Sequence, residues 1–174
     1  MRPSALRLRH VVAGEQARLR ELRLRSLASN PEAFGSTHAR DSARAPEWWE
    51  RWATQSEDGT TQRTFVLVDE DDRWLGLALA RIDDERPRSA TLNAMWVSPE
   101  ARGRRAGVLL CEACATWASD RGLDELTLTV VVGNEPALRS YEAAGFAILG
   151  QRRWSHDGRA LDELVMSRPL DNGA

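Results

Sequence analysis

The stretch ATLNAMWVSPEARGRRAG, residues 90–107, decides the fold of this chain. Its first half predicts an apolar strand at residues 92–97, which Ser98 and Pro99 end. A basic loop that contains glycine follows at residues 102–107, and a helix is predicted directly after it. A strand, a turn and a helix N-terminus in this order leave backbone N–H groups and the positive end of the helix dipole facing the turn. The stretch therefore predicts a phosphate-binding site, to which arginine side chains add charge.

A second motif lies at residues 134–146, where the sequence reads NEPALRSYEAAGF. Asn134, Ala137 and Tyr141 recur at helical spacing, and Gly145 is placed to end the short helix that carries them. The combination of this motif with the basic loop is far more specific than a glycine loop or a tyrosine alone.

Together the two motifs resemble the GNAT superfamily of acyl-CoA-dependent N-acyltransferases, and the resemblance covers residues 90–154. The loop of that family reads Arg/Gln-x-x-Gly-x-Gly/Ala, and residues 102–107 match it except at one position. Arg105 stands where the family has its middle glycine. Either the backbone turns there without needing a bare Cα, or the pyrophosphate is held differently. The pattern Asn-x-x-Ala-x-x-x-Tyr of the second motif is intact.

The resemblance implies a single domain over residues 1–174 of the α/β (α+β) class. The expected architecture is a mixed, mostly antiparallel, twisted sheet of six or seven strands, flanked by about four helices. The local patterns of the chain fit this order of elements. They predict an edge strand at residues 6–10, a helix at 14–29, a hairpin at 65–69 and 74–81, a helix at 106–121, a strand at 126–130 parallel to the preceding one, a hairpin around Asp157 and Gly158, and a frayed tail from Asp171.

The resemblance also implies how acetyl-CoA would bind. In the family, the strand that matches residues 92–97 offers its backbone to the extended pantetheine arm and splays from the next strand. Asn134 would contact the arm from the other side, or cap the following helix, and both roles can coexist. The predicted cosubstrate site consists of Met95, Trp96, Val97, Arg102, Gly103, Arg104, Arg105, Ala106, Gly107, Val108 and Asn134.

Tyr141 is the predicted catalytic residue. A phenol with a pKa near 10 suits protonation of the thiolate that leaves during acyl transfer. Tyr141 is the only tyrosine in the chain and occupies the motif position, although a plain core tyrosine is the alternative. The general base stays unassigned among a water held by Asn93, a carboxylate of Glu32 or Asp83, and no residue at all.

Acceptor binding is expected in residues 31–59, between the first two predicted strands. Phe34 and Trp49 are the predicted substrate-binding residues, because aromatic faces bind an apolar or cationic amine. Trp48 and Trp52 share one helical face, and the alternative is that the tryptophans pack a short helix on the sheet. The acceptor itself stays open among polyamine-like or aminoglycoside-like molecules, amino acids and protein N-termini.

Composition narrows the function classes. A net charge of −2 gives no basic field that would attract nucleic acid, so the arginine loop is expected to bind something small. All 24 basic residues are arginine, which excludes a P-loop or Schiff base that needs lysine. Cys111 and Cys114 are expected in the core. His10, His38 and His156 are scattered, so no metal site is predicted.

The N-terminus shows neither a signal peptide nor an apolar run of spanning length, so a cytoplasmic protein without membrane contact is expected. Whether the protein forms a homodimer stays open. The predicted function is an N-acetyltransferase that moves an acetyl group from acetyl-CoA to a primary amine of a small molecule or a protein N-terminus. The alternative is a catalytically silent acyl-CoA-binding sensor, because the chain departs from an active pattern at two places. Arg105 replaces a motif glycine, and Thr91 and Asn93 stand in the strand where the resembling family often has a glutamate.

Overall fold

The computed structural model describes residues 5–156 and 158–171. The strands are β1 (Arg7–His10), β2 (Gln62–Val68), β3 (Trp74–Ile82), β4 (Ser89–Val97), β5 (Glu125–Val131), β6 (Ala147–His156) and β7 (Arg159–Pro169). The helices are α1 (Gln16–Ser29), α2 (His38–Ser42), α3 (Pro46–Asp58), α4 (Ala106–Ser119) and α5 (Glu135–Ala143), and 3-10 turns cover Pro31–Ala33 and Pro99–Ala101.

The strands form one sheet in the order β1-β2-β3-β4-β5-β7-β6. Neighbouring strands run antiparallel except β4 and β5, which run parallel because α4 crosses between them. The predicted fold class is therefore confirmed, with seven strands in a mixed, mostly antiparallel sheet. The described residues form five α-helices where about four were predicted. The additional one is the short α2, in a segment whose hydrophobic period is too weak to indicate a helix.

Local sequence signals explain the element boundaries. α1 ends at Asn30, because the residue before Pro31 avoids the α region. Pro46 occupies the first position of α3, and Gly59 ends that helix with a left-handed φ of 64°. β1 forms one edge of the sheet, as its alternating sequence predicted, although Leu8 on this edge is exposed.

Helices cover both faces of the sheet. α4 packs on one face, against apolar side chains of β3, β4 and β5. α1 and α3 pack on the other face around a second core, which contains Trp49, Trp52 and Trp96. Cys111 and Cys114 are fully buried in the first core, as predicted, and burial raises the pKa of Cys111 to about 12. Cys111 is therefore a neutral packing group.

β4 and β5 separate soon after they begin. Their parallel pairing joins only residues 89–91 to residues 125–127. β4 then bends at a bulge, where its register with β3 shifts between Leu77 and Leu79 and Ala94 takes a φ of 53°. β5 meanwhile stays paired with β7 along its whole length. The two strands therefore diverge and form a slot, which widens toward the end of β4.

The C-terminal hairpin pairs β6 with β7, and β7 lies between β5 and β6. Gly158 has a φ of 74°, which suits the predicted turn, while Asp157 lies outside the described residues. Residues 172–174 of the predicted tail also lie outside them, as do residues 1–4. The insertion of β7 brings side chains from the end of the chain next to β5.

Candidate functional site

The edge of β4 that faces the slot carries main-chain groups without a strand neighbour. The Ser98 N–H donates to the Leu75 carbonyl on the β3 side, at 2.8 Å. Successive residues of a strand direct their main-chain groups to opposite edges. The N–H and carbonyl of Val97 therefore face the slot. Arg102 donates from Nε to that Val97 carbonyl at 3.1 Å, so the Val97 N–H is the group that an extended ligand can bind.

Met95 and Trp96 have different surroundings. Trp96 buries its indole in the second core, where Nε1 donates to Asn30 Oδ1 at 2.9 Å. Its main-chain groups face β3, so the structure does not bring this predicted cosubstrate residue to the slot. Met95 packs its side chain toward α4 and also lines the large cleft described below. Of the three strand residues, Met95 and Val97 are therefore the ones that reach ligand-accessible space.

The basic loop leads into the N-terminus of α4. Gly103 and Arg105 both have left-handed backbone, with φ values of 74° and 57°. None of the described side chains caps the helix. The N–H groups of Ala106, Gly107 and Val108 have no intrahelical partners, because they belong to the first turn. Open N–H groups at the positive end of a helix of 14 residues are suited to bind an anion, and the anion site itself stays a prediction.

Arg105 adopts the left-handed conformation that glycine adopts without strain. This backbone fits the first interpretation of the motif, in which the chain turns here without a bare Cα. The way in which the loop holds the pyrophosphate stays a prediction. A residue with a side chain pays about 1–2 kcal/mol for this conformation.

We therefore expect Arg105→Gly to raise the thermal midpoint by about 2–4 °C, which corresponds to about 1 kcal/mol in a domain of this size. Arg105→Ala is the matched control, since it removes the charge but retains the strained backbone, and it should leave the midpoint unchanged. Differential scanning calorimetry of both variants checks this. Equal midpoints for Gly and Ala would mean that the strain at this position is negligible.

The arginines of the loop differ in their contacts. Arg102 bridges the Val97 carbonyl and Asn30 Oδ1, at 3.1 and 3.3 Å, and so holds the loop against β4 and the end of α1. Arg104 is half-buried and Arg105 is exposed. Asn30 is a residue that sequence reasoning missed. It accepts bonds from Trp96 and Arg102, and its only sequence signal is its place before a proline.

α5 lies beside the first turn of α4. A Cβ at Gly107 would come within 3.2 Å of Met95 Cε and 3.3 Å of Ser140 Oγ, so glycine permits this close approach. Asn134 caps α5, since its Oδ1 accepts a bond from the Ala137 N–H at 3.4 Å. The capping role occupies the side-chain oxygen of Asn134, and the side-chain nitrogen can still contact a ligand in the slot.

Tyr141 lies on α5, one turn after Ala137, with its ring centroid 6.0 Å from that of Phe146. It is 6% exposed and lines the cleft. Burial raises the pKa of the Tyr141 phenol well above its ordinary value. Core packing and access to the cleft coexist in this residue, and the phenol keeps its proton at neutral pH.

A cleft of about 700 Å³ opens between the sheet and the segment that joins α1 to α3. It connects the bulge of β4 with the region where acceptor binding was predicted. One wall contains Phe34, Gly35, Trp48 and Trp52, and the opposite wall contains Asn93, Ala94, Met95 and Tyr141.

Trp49 does not lie at the cleft, which corrects its prediction as a substrate-binding residue. It is 2% exposed and stacks on Trp52 at 5.7 Å within the second core. Successive helical residues are turned by about 100°, so α3 directs Trp48 to the cleft and Trp49 to the sheet. Phe34 does line the cleft, as predicted, and the aromatic wall consists of Phe34, Trp48 and Trp52.

The carboxylates named in the sequence analysis are poor candidates for a base. Glu32 is exposed and is absent from the cleft lining. Asp83 does line the cleft, but it accepts N–H bonds from Glu85 and Arg86 and pairs with the Arg86 guanidinium. These bonds hold the pKa of Asp83 below its ordinary value. The Asp83 carboxylate is therefore a turn-stabilising group with little tendency to take a proton.

Glu163 is a carboxylate of the cleft that sequence reasoning missed. It is 7% exposed and lines the same cleft as Tyr141. Arg152 donates from Nε to its Oε2 at 2.9 Å. Glu163 lies opposite Val131 of β5, a position it reaches only because β7 is inserted beside β5. No local pattern in the sequence signals such a placement.

Within residues 5–156 and 158–171, no three His, Cys, Asp or Glu side chains are grouped so that they could hold a metal ion. The helices of this part of the chain are all too short or too polar to cross a membrane.

Comparison with known proteins gives a family match. The family model described as "Acetyltransferase (GNAT) family" matches residues 22–146. This range includes the slot edge, the basic loop, α4 and the motif with Asn134 and Tyr141. It ends before β7, so Glu163 lies beyond the matched residues.

Two curated relatives and one solved structure give the extent of the similarity. Streptothricin acetyltransferase of Streptomyces lavendulae is 34% identical over 110 residues, which are 62% of this chain and 58% of that protein. Mycothiol acetyltransferase of Sanguibacter keddieii is 27% identical over 151 residues, 84% of this chain and 41% of that protein. The chain thus spans about half the length of these relatives. A GCN5-related N-acetyltransferase from Kribbella flavida superposes with a TM-score of 0.75 at 26% identity, over 95% of this chain and 98% of that one.

Proposed function

The chain belongs to the acetyltransferase (GNAT) family, and we propose from this premise that it transfers an acetyl group from acetyl-CoA to a primary amine of a small molecule. One observation carries the proposal. The slot between β4 and β5 opens beside the uncapped N-terminus of α4. The bulge of β4, which borders this slot, also lines the cleft that contains Tyr141. A small-molecule acceptor is supported by the names of the two relatives, which are acetyltransferases of streptothricin and mycothiol.

Acetyl-CoA fits these residues in two parts. The open N–H groups at the start of α4 and the arginine side chains of residues 102–105 would bind the pyrophosphate. The pantetheine arm would extend along the free edge of β4, accepting a bond from the Val97 N–H, with Asn134 on the opposite side. Bound in this way, acetyl-CoA supplies a thioester carbonyl at the cleft.

The chemistry assigned to the cleft follows from the bonds that change. The amine nitrogen bonds to the thioester carbon, the C–S bond breaks, and the sulfur leaves with the electron pair. We assign Tyr141 to the departing sulfur, as donor of a hydrogen bond or proton. The proton of the amine passes to Glu163 or to a water bound by Asn93, whose Nδ2 donates to Thr91 Oγ1 at 2.8 Å.

The alternative of a silent acyl-CoA-binding module rested on two departures from the family pattern, and both lose their force. Arg105 has the backbone conformation of a left-handed glycine. Glu163 contributes a carboxylate to the cleft, where the sequence analysis had found none. Neither departure therefore argues against turnover.

An acetyl-CoA consumption screen tests the proposed function. Polyamines, aminoglycosides, amino acids and peptides with free N-termini are the acceptor classes, and release of the free CoA thiol is the readout. We expect thiol release with at least one small-molecule class. Binding of CoA without thiol release in any class would contradict the proposal and favour the silent module.

The double variant Arg104→Ala, Arg105→Ala should weaken CoA binding about tenfold, with the fold retained. The free energy of charge-assisted hydrogen bonds from half-buried and exposed side chains lies at the lower end of its usual range, because water and salt screen these bonds. Isothermal titration at low and high salt measures this, and the salt dependence should become shallower in the variant. Arg51→Ala, at an exposed position of α3, is the control. An unchanged affinity in the double variant would remove the phosphate site from this loop.

A further inference from the structure

Two guanidinium groups in the cleft wall have buried N–H donors without an acceptor among the described residues. Arg23 is 7% exposed, and its Nε donates to Asp41 Oδ2 at 3.1 Å while Nη1 has no partner. Arg44 has a buried Nε that lies 3.8 Å from Asp41 Oδ1, beyond hydrogen-bond distance. Both arginines line the cleft. Asp41 therefore pairs neither guanidinium group completely.

The single carboxylate at this site does not balance its positive charge. Asp41 is 3% exposed and also accepts a bond from Ser36 Oγ at 2.6 Å, so its oxygens are already engaged. Burial lowers the pKa of the Arg23 guanidinium below its ordinary value, and the Asp41 charge offsets only part of that shift. An anion in the cleft would balance the positive charge that Asp41 leaves over.

Aromatic rings hold both guanidinium groups in place. Arg23 Cζ lies 4.9 Å from the centroid of Phe34, and Arg44 Cζ lies 4.6 Å from that of Trp48. A fixed guanidinium is preorganised, and its fork of N–H donors matches the two oxygens of a carboxylate. The aromatic wall of the cleft thus limits the motion of both guanidinium groups.

Different segments of the chain contribute the arginine pair and the carboxylates of the cleft lining. The part of the lining that comes from α1, α2 and the following turn carries Arg23 and Arg44 beside Asp41. The part of the lining that comes from residues 81–85 and β7 carries Arg81 and the carboxylates Asp83, Asp84, Glu85 and Glu163. Three of these carboxylates have an arginine partner, since Asp83, Asp84 and Glu163 pair with Arg86, Arg81 and Arg152. A ligand that carries a negative group as well as an amine would find a partner for each group in this lining.

We infer that the acceptor is an amine that also carries an oxyanion, most simply a carboxylate, which binds at Arg23 and Arg44 while the amine lies toward Tyr141 and Glu163. This inference rests on the proposed acetyl transfer and narrows its acceptor to amino acids and related aminocarboxylates. A phosphonate offers the same oxyanion chemistry with a tetrahedral shape.

The test compares acceptors that differ only in the second group. β-Alanine, its amide, aminoethylphosphonate and the diamine of the same length form one set, and α-amino acids and longer aminocarboxylates with their amides form others. We expect kcat/KM for the best carboxylate to exceed that of its amide by about tenfold or more, the size of a charge-assisted bond. The kcat/KM of aminoethylphosphonate relative to that of β-alanine shows whether the site prefers a tetrahedral or a planar oxyanion.

Arg44→Gln identifies the site. It should lower kcat/KM for the carboxylate about tenfold and leave that for the amide nearly unchanged, and Arg44→Lys should recover part of the loss. Arg51→Gln is the matched control on the exposed side of α3, and it should retain the preference for the carboxylate. Arg23 is left intact, because its loss would leave Asp41 buried without its partner.

A thermal shift with millimolar aminocarboxylate provides a readout that does not depend on turnover, since a bound ligand raises the melting temperature. The shift should appear in the wild type and vanish in Arg44→Gln. Turnover with a preference for diamines or plain amines would overturn the inference and leave the proposed function in place. A carboxylate-dependent shift of the melting temperature without thiol release from any amine would contradict the proposed acetyl transfer and leave the oxyanion site in place. Absence of both the shift and the carboxylate preference would also overturn the inference.

Discussion

Tyr141→Phe is expected to lower kcat about a hundredfold, the lower end for general acid catalysis, with the KM for acetyl-CoA nearly unchanged. The phenylalanine ring retains the packing against Phe146 and removes only the hydroxyl. An effect confined to kcat is the mark of an interaction made in the transition state. Steady-state kinetics with the best acceptor from the screen measures both parameters.

The raised pKa of Tyr141 shapes this expectation. A thiol has a pKa near 8.5 in water, so full proton transfer from a phenol to a thiolate would be unfavourable there. Burial raises the pKa of the Tyr141 phenol, and the same low-polarity surroundings raise that of a thiol beside it. The two values therefore move together. Since the raised pKa keeps the phenol protonated above neutral pH, loss of this proton should cause no fall in wild-type kcat between about pH 7 and 9.

Phe146→Leu is the control for packing at this position. It removes the ring partner of Tyr141 without touching the hydroxyl, so it should lower the melting temperature and leave kcat within a few-fold. Acceptors with a mostly neutral amine and with a strongly basic amine should show the same defect in Tyr141→Phe, because the phenol acts on the sulfur. Full activity of the variant across the pH range would remove Tyr141 from the mechanism.

The sequence predicted those parts of the site that depend on local order. The strand, the basic loop and α4 follow one another without a break, so their spatial arrangement follows from chain connectivity and helix geometry. Asn134 and Tyr141 are fixed in the same way, since a short helix with a capped start determines which residues share a face. Even the strained Arg105 lies in the turn that the motif predicted.

Other parts of the site depend on contacts between distant segments. Glu163 reaches the cleft because β7 is inserted between β5 and β6, and strand order is not encoded in any local pattern. The tryptophans of α3 illustrate a related limit. Helical period groups Trp48 with Trp52 and separates Trp49, but it does not tell which side faces the sheet. Asn30 likewise gains its two donors, Trp96 and Arg102, only through packing.

The pairing of Arg23 with Asp41 was equally invisible in the sequence. Both residues belong to segments rich in charge, where a solvated side chain is the ordinary expectation. They are buried because α2 packs on α1 and encloses them, with side-chain exposures of 9% and 4%. A buried ion pair of this kind contributes little net stability as a pair, yet each partner depends strongly on the other.

Asp41→Ala is therefore expected to destabilise the fold by about 3–5 kcal/mol, the usual cost of leaving one charge of a buried pair without its partner. At about 2–4 °C per kcal/mol for a domain of this size, the melting temperature should fall by about 10 °C or more. The Arg23 guanidinium would keep only its contact with Phe34, and Ser36 would lose its acceptor. Calorimetry or chemical denaturation measures the loss.

Two further variants separate the unpaired charge from other causes. Asp84→Ala removes one partner of the exposed Arg81 pair, whose side chains are 51% and 82% exposed, and should change stability by less than about 1 kcal/mol. The double variant Arg23→Met, Asp41→Leu removes both buried charges and replaces them with apolar groups, so it should recover most of the stability that Asp41→Ala loses. A double variant as unstable as the single one would show that the Asp41 hydrogen bonds, rather than the charge left on Arg23, hold α2 against α1.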